Sequence, residues 1–452
     1  MRKAPVLGLD HRPRRARDLG GADAADLPEG AELPMPLNPR LVRATFECVE
    51  RDHAASSGYF YGRLFAEHPR LRALFPPAMD VQRDRLFDAL TTIVCSLDDP
   101  ESLVRYLGRL GRDHRRFGVA PAHYEAVGSA LLATVARAAG DQWTAEAAAA
   151  WRDAFALASR MMIEAAAEHA AWAPPWWQAE VVALERPRHD LARITLRPDQ
   201  PYPYLPGQYL MVQVARWPRV WRPYSIANAP RGDNLLRLVV RAVPGGWVST
   251  ALVAHTRPGD RLLLGAPLGT TVLDAESDRD LVMVAGGSGI APIKAIAEQV
   301  AALPRRRPML LLYGAGEAAE LTESADLAAL QSTYPWLRVV EVLGRGADER
   351  RAAEPAGDHA SAEVASGTAV GVLGDYGPLH GSDAFVCGPD AMVRAAVPRL
   401  VEAGVDPERI RHDLLPHDAE GAADAAPAKR PGAHADGGTE SPGAPGQVPL
   451  RG

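Results

Sequence analysis

The spacing of apolar and polar positions changes twice along the chain. From Leu41 to about Ala171 it is helical. LVRYLGRLGRDHRRF sets Leu103, Leu107, Leu110 and His114 three or four residues apart, on one helix face. DVQRDRLFDALTTIVCSL repeats this through Leu86, Leu90, Ile93 and Leu97, and no strand-like alternation intervenes. The pattern predicts an all-α domain over residues 39–172, broken by the prolines of APPWW (Ala173 to Trp177).

From Glu180 to about Asp274 the texture is one of short strands. EVVALERP, ARITLRP, QYLMVQVA, LLRLVVRAV and RLLLGAP, separated by turns rich in Pro, Gly and Asp, predict a small antiparallel β-barrel over residues 176–275. From Arg279 onward, LVMVA, MLLLYG, LRVVEVLG and DAFVCG alternate with helical stretches. That alternation predicts an α/β domain with a parallel sheet over residues 276–416. Three stretches have no such period: a disordered arm (1–38), a floppy insertion (345–368) and a low-complexity tail (417–452) are expected there.

The 452 residues suffice for about three domains. A net charge of -6 argues against a dedicated nucleic-acid binder. The three cysteines (Cys48, Cys95, Cys387) form no CxxC pair, which excludes a disulfide framework, a four-cysteine zinc site and a protein-ligated iron–sulfur cluster. No apolar run reaches the ~18 residues of a membrane span. The basic N-terminus is followed by no hydrophobic stretch, so no signal peptide is expected, and a cytoplasmic location is.

LVMVAGGSGIAP reads as a strand, a glycine loop (Gly286, Gly287, Ser288, Gly289) and a helix start. Gly287, Gly289 and Pro292 have G-x-G-x-x-P spacing, a variant of the dinucleotide fingerprint. Its glycines let backbone approach a pyrophosphate at a helix N-terminus, where Pro292 costs no hydrogen bond. PGQY (Pro206 to Tyr209) and RPYS (Arg222 to Ser225) come before it, and CGPDAMV (Cys387 to Val393) after it.

In this order the motifs resemble the ferredoxin–NADP reductase superfamily. The resemblance implies FAD in the barrel and NADH or NADPH on the α/β domain. It further implies that Arg222, beside Pro223, pairs with the FAD pyrophosphate, Tyr224 covers the isoalloxazine, and Ser225 bonds the flavin near N5. Tyr209 would line the flavin, and Gly245, Gly246, Val248 and Ser249 would offer backbone donors to its phosphates. Cys387, Gly388 and Pro389 would sit beside the nicotinamide. For each residue singly, a packing role is the competing account.

A flavin reduced by hydride releases electrons singly, and the helical domain is then the place to seek their acceptor. FYGRLFAEHPRLRALFP holds Tyr61 and Phe75, the next helix begins near Gln82, and Tyr124 lies ten residues past His114. This ordering resembles the globin domain of flavohaemoglobins, in which such a reductase follows directly; the combined likeness spans about residues 40–415. The fold class is thus expected to be an all-α globin, then an antiparallel β-barrel FAD domain, then an α/β parallel-sheet nicotinamide domain.

The likeness implies haem b with His114 as proximal iron ligand, Phe75 against the porphyrin, Tyr61 and Gln82 on the distal side, and Tyr124 as the proximal tyrosine. Plain helix packing is the competing account for Tyr61 and Phe75, and His53, His68, His123 and His169 are competing histidines. Two departures stand out. The family carries a glutamate near the proximal histidine on the last globin helix; counting from Trp151 places Ala166 there, with Glu164 and Glu168 nearby. The family's flavin-covering C-terminal aromatic is absent, IRHDLLPH offering Leu414, Leu415 and His417.

The implied activity is nitric oxide dioxygenation, NO and O2 to nitrate with NAD(P)H as donor, by a monomer or dimer whose partners are small molecules. An oxygen- or redox-responsive haem protein with a built-in reductase, and a reductase serving a separate oxygenase, are the alternatives. Gly316 and Glu317 after the second parallel strand favour NADH, a carboxylate suiting a ribose 2′-OH; Arg305, Arg306 and Arg307 keep NADPH open.

Overall fold

The computed structural model describes residues 38–274, 276–344 and 363–413. The expected N-terminal arm, residues 345–362 of the insertion, and the tail with Leu414, Leu415 and His417 lie outside them.

The helical part comprises α1 (Pro39–Glu50), α2 (His53–Glu67), α3 (Asp80–Cys95), α4 (Pro100–His114), α5 (His123–Ala139) and α6 (Ala145–Ala170). Their starts are written in the sequence. Side chains of Asn38, Asp52, Asp99 and Thr144 accept from the N–H groups of Leu41, Ala55, Ser102 and Ala147, satisfying otherwise orphaned donors. Pro39 and Pro100 sit in first turns. Leu103 and Leu107 are buried with Phe46, Phe60, Leu64 and Trp151. At the far end of α4, a Cβ added to Gly111 would lie 2.2 Å from the Met162 carbonyl oxygen, so glycine lets α4 rest on the backbone of α6.

The barrel strands are β1 (Trp177–Arg188), β2 (Leu191–Pro198), β3 (Tyr209–Val214), β4 (Arg222–Ser225), β5 (Leu236–Arg241) and β6 (Arg261–Leu264), ordered β4-β3-β6-β1-β2-β5. All their pairings are antiparallel, and an Ile226–Leu238 bridge draws the two edges together into a nearly closed barrel.

The second sheet is parallel throughout: β7 (Leu281–Gly286), β8 (Met309–Ala315), β9 (Leu337–Leu343), β10 (Glu363–Ser366), β11 (Asp383–Cys387) and β12 (Ile410–Arg411), ordered β10-β9-β8-β7-β11-β12. Helix α7 (Trp247–Thr250) follows β5, and helices α8 (Ile290–Ala302), Ser324–Thr333 and Asp390–Glu402 connect the strands of the second sheet. The expected insertion ends sooner than its sequence texture suggested: Glu363–Ser366 is a strand paired with β9, legible only through backbone pairing because its side chains are largely exposed.

The three parts touch through polar contacts. Arg219 of the barrel donates from Nε to the Ala73 carbonyl of the helical part at 3.2 Å. Between the sheets, buried Glu323 forms an ion pair with Arg193 Nε at 2.9 Å, and within its own domain it accepts from Lys294 Nζ at 2.6 Å. No helix among the described residues is long and apolar enough to cross a membrane.

Candidate functional site

His114 closes α4, where the Leu103/Leu107/Leu110 stripe aims it inward. Its Nδ1 lies 2.7 Å from the Leu110 carbonyl oxygen, so Nδ1 carries the proton and Nε2 keeps a lone pair. Burial lowers the imidazole pKa below its ordinary value, against an opposing pull from the Leu110 carbonyl, and keeps the ring neutral. A neutral, oriented imidazole with one unprotonated nitrogen is the donor that haem iron takes, so the side chain present fits the group.

Tyr61 is buried in α2, and its hydroxyl donates to the backbone carbonyl of Gln82 at 3.2 Å. Burial pushes its pKa up to about 12, against smaller lowering effects of the Gln82 side chain and the Arg83 charge. The Phe75 ring meets Tyr61 edge-on at 5.6 Å. Tyr61, Phe75 and Gln82 are therefore one cluster.

Tyr124, in the first turn of α5, shares with His114 a cavity of about 280 Å³ whose other walls include Gly111, Arg115, Ala166 and Ala167. Ala166 faces this cavity and Glu164 is exposed. Of the competing histidines, His53 packs on Phe87 at 5.1 Å, and buried His169 has its Nδ1 occupied by the Arg115 guanidinium. His68 is exposed at the end of α2, and His123 accepts the Ala120 N–H at 3.1 Å.

In the barrel, β3 and β4 pair so that Tyr209 faces Ser225 and Val212 faces Arg222. Arg222 is buried and donates from NH1 to the Trp221 carbonyl at 3.1 Å. The Trp221 indole N–H and Arg116 Nε are buried without a hydrogen-bond partner among the described residues. Desolvation lowers the Arg85 pKa, and the charges of Arg222 and Arg116 lower it further. Three converging guanidiniums and an unspent indole donor fit a polyanion such as a flavin pyrophosphate.

Pro223 and Tyr224 lie along the same strand, Tyr224 against the barrel core. Among the PGGWVST residues, Gly245 is left-handed (φ 79°), and Val248 and Ser249 belong to the short helix Trp247–Thr250. The Gly246 N–H donates to the Val243 carbonyl at 2.8 Å, and Ser249 Oγ accepts from the Val243 N–H at 3.1 Å. The Gly246 N–H thus closes its own turn.

The glycine loop and the cysteine motif interlock. A Cβ on Gly289 would lie 2.3 Å from the Cys387 carbonyl oxygen, and one on Gly286 would lie 2.6 Å from Met392 Sδ and 3.2 Å from Pro389. A Cβ on Gly388 would lie 3.1 Å from the Gly286 nitrogen. Gly287, at φ 52°, faces open space next to Ser288, and Pro292 is in the first turn of α8. The residues thus form an open backbone cradle that fits a nicotinamide dinucleotide. Burial, with Asp413 adding, raises the Cys387 thiol pKa far above its ordinary value, so the thiol stays protonated.

Asp413 escaped the sequence reading. Its carboxylate accepts from the Thr270 N–H and hydroxyl at 3.1 and 3.0 Å and from the Thr271 N–H at 3.3 Å. A Cβ on Gly269 would come within 2.7 Å of Asp413 Oδ2 and 3.1 Å of Tyr209, which places the carboxylate beside the Tyr209 ring. An acid just past the last strand was the only signal. Beyond β8, Glu320 accepts from the Gly316 N–H at 3.0 Å and pairs with Arg241 at 3.1 Å, while Glu317 is exposed. Arg307 is buried before β8 on Asp383 at 3.0 Å.

Comparison with known proteins finds a globin family match at residues 58–162, an oxidoreductase FAD-binding domain at 178–272 and an oxidoreductase NAD-binding domain at 283–397. The chain is 29% identical to a flavohemoprotein of Deinococcus radiodurans, over 83% of this chain and 95% of that protein. It is 32% identical, over 52% of this chain and 67% of that protein, to the reductase component of the naphthalene 1,2-dioxygenase system of Pseudomonas putida. Among solved structures, a flavohemoglobin of Malassezia yamatoensis with bound FAD and heme superposes with TM-score 0.63 at 19% identity, covering 83% of this chain and 97% of that one.

Proposed function

The chain belongs to the flavohaemoglobin family, a haem- and FAD-dependent oxidoreductase drawing on NAD(P)H, and from that premise we propose that it is a nitric oxide dioxygenase. The overall conversion joins NO, O2 and one electron into nitrate, so one NAD(P)H serves two turnovers. Haem, when bound, supplies the iron at which NO and O2 combine, FAD the step from hydride to single electrons, and NAD(P)H the hydride.

His114 holds the iron through Nε2, its orientation set by the Leu110 carbonyl. Tyr61 keeps its proton to about pH 12; its O–H, held on the Gln82 carbonyl, would turn from that acceptor to donate where negative charge develops, with Gln82 beside it. Phe75 is the apolar wall of that pocket, and Tyr124 lies on the proximal side. Arg222 neutralises the flavin pyrophosphate with Arg85 and Arg116 near it. Tyr209, Tyr224 and Ser225 orient the isoalloxazine, and Gly245, Val248 and Ser249 border its phosphates. The loop Gly286–Gly289, with Pro292, receives the dinucleotide, and Cys387, Gly388 and Pro389 flank the nicotinamide. NADH is the favoured donor, because the turn after β8 is acidic.

The observation that carries the reading is the Tyr61–Gln82 contact in a helical domain that also offers His114 as a neutral donor. Purified protein given NADH, O2 and NO should form nitrate stoichiometrically with NO consumed. NADH oxidation without nitrate would sink the proposal. A protein isolated without a Soret band would favour the second reading, a reductase for a separate oxygenase, which the 32% likeness to a dioxygenase reductase component supports.

A further inference from the structure

The cavity behind His114 is more than a packing defect. Gly111 of α4 and Ala166 and Ala167 of α6 open about 280 Å³ there. An engineered apolar cavity of roughly 150 Å³ already takes a benzene molecule. Most of the wall is aliphatic, but three residues with polar side chains line it: His114, Arg115 and Tyr124.

Arg115 has only neutral partners among the described residues. It bonds His169 Nδ1 through NH1 and the Ala173 carbonyl through NH2 at 2.8 Å. Burial and the charges of Arg115 and Arg112 bring the His169 pKa down to about 4, so the imidazole is a neutral acceptor. Among the described residues, two of the guanidinium's five N–H donors are thus engaged, and no carboxylate meets its charge. The Tyr124 hydroxyl, held protonated by burial with a pKa raised to about 12, has no hydrogen-bond partner among the described residues. Among the described residues, a cation with no carboxylate partner and a phenol with no acceptor thus border a mostly apolar cavity.

We propose that this cavity binds a compact monocarboxylate with an aromatic or short aliphatic body, the carboxylate meeting Arg115 and the Tyr124 hydroxyl and the body lying against the aliphatic wall. Because His114 forms part of the same wall, occupancy alters the setting of the proximal histidine and makes the site regulatory. The proposal rests on the assignment of His114 but not on NO chemistry, so binding and nitrate formation fail independently.

Benzoate is the probe, and benzamide its neutral isostere. Calorimetric titration of the full-length, haem- and FAD-loaded ferrous protein, saturated with CO to block the iron's open position, should show one benzoate site. Benzamide should bind at least about tenfold more weakly, as should benzoate to Arg115→Gln, since a charge-assisted bond is lost. Ala166→Trp should abolish binding by filling the space. Ala167→Leu, a milder filler, should weaken it, with FAD retention reporting that each variant folds. In the CO-free ferrous protein, benzoate should shift the iron–histidine stretching band, and should not in Ala166→Trp. No binding, equal affinity for benzamide, or unchanged affinity in both fillers would overturn the proposal.

Discussion

The Nδ1 atom of His114 lies 2.7 Å from the carbonyl oxygen of Leu110, one helical turn earlier on α4. A side chain so fixed presents one nitrogen in a set direction, and the Phe117 ring meets the imidazole edge-on at 6.5 Å. His114→Ala should therefore lose haem, and FAD should stay, because most of the flavin residues, Arg222, Tyr224 and Ser225 among them, are in the separate barrel. The Soret band and the flavin band of the purified variant measure both. An unchanged Soret band would remove His114 as the ligand.

Arg222 is buried beside Trp221, and its charge, with that of Arg116, adds to burial in lowering the Arg85 pKa. Arg222→Ala should weaken FAD at least about tenfold, a charge-assisted hydrogen bond being worth roughly 1.5–3 kcal/mol. Full flavin retention through dialysis would refute the role.

Tyr61→Phe removes a donor whose position is fixed by burial. Nitrate turnover should fall by roughly 10²-fold, the scale of losing one preorganised donor. The folded pKa of about 12 lies above the ordinary value of 10, so burial of the protonated hydroxyl favours the fold fully below pH 10. That contribution is lost as pH rises from 10 towards 12. Wild type should lose stability over that window relative to Tyr61→Phe, as urea unfolding at several pH values would reveal.

Gly111→Ala tests the close approach of α4 to α6. A methyl 2.2 Å from the Met162 carbonyl oxygen forces the helices apart, at a cost of about 1–3 kcal/mol. Thermal unfolding of the helical domain should shift down and haem affinity should fall. An unaltered midpoint would mean that the two helices separate freely.

Periodicity carried a long way here. The helical stripe ending in His114, and the strands around the glycine and cysteine motifs, were legible because one face of each element is buried. What was not legible depends on backbone pairing or on distant contacts. The four-residue strand β4 holds Pro223 and is recognised by its partner Tyr209–Val214, not by alternation. Strand β10 is exposed and β12 has two residues. Asp413 joins the Tyr209 region through Thr270 and Thr271, more than 140 positions away, a relation no local pattern carries. The Gly246 N–H looks like a phosphate donor in PGGWVST until its bond to Val243 is seen.

The orientation of α6 is another such case, and it decides the chemistry behind His114. Glu164 and Ala166 are two residues apart, about 200° around a helix, so only one can face α4. Ala166 lines the cavity beside His114 and Tyr124, and Glu164 is exposed. A carboxylate bonded to the far nitrogen of a ligating histidine makes the imidazole a stronger donor. Here that nitrogen has the Leu110 carbonyl instead, a weaker acceptor, so the iron–histidine bond should be weak and the ferrous state favoured. The iron–histidine stretching frequency of the ferrous, ligand-free protein should be low and unchanged in Glu164→Gln. Ala166→Glu should raise it and lower the haem potential, because the new carboxylate enters the cavity next to the imidazole. A high wild-type frequency that falls in Glu164→Gln would show that α6 turns its other face to the iron.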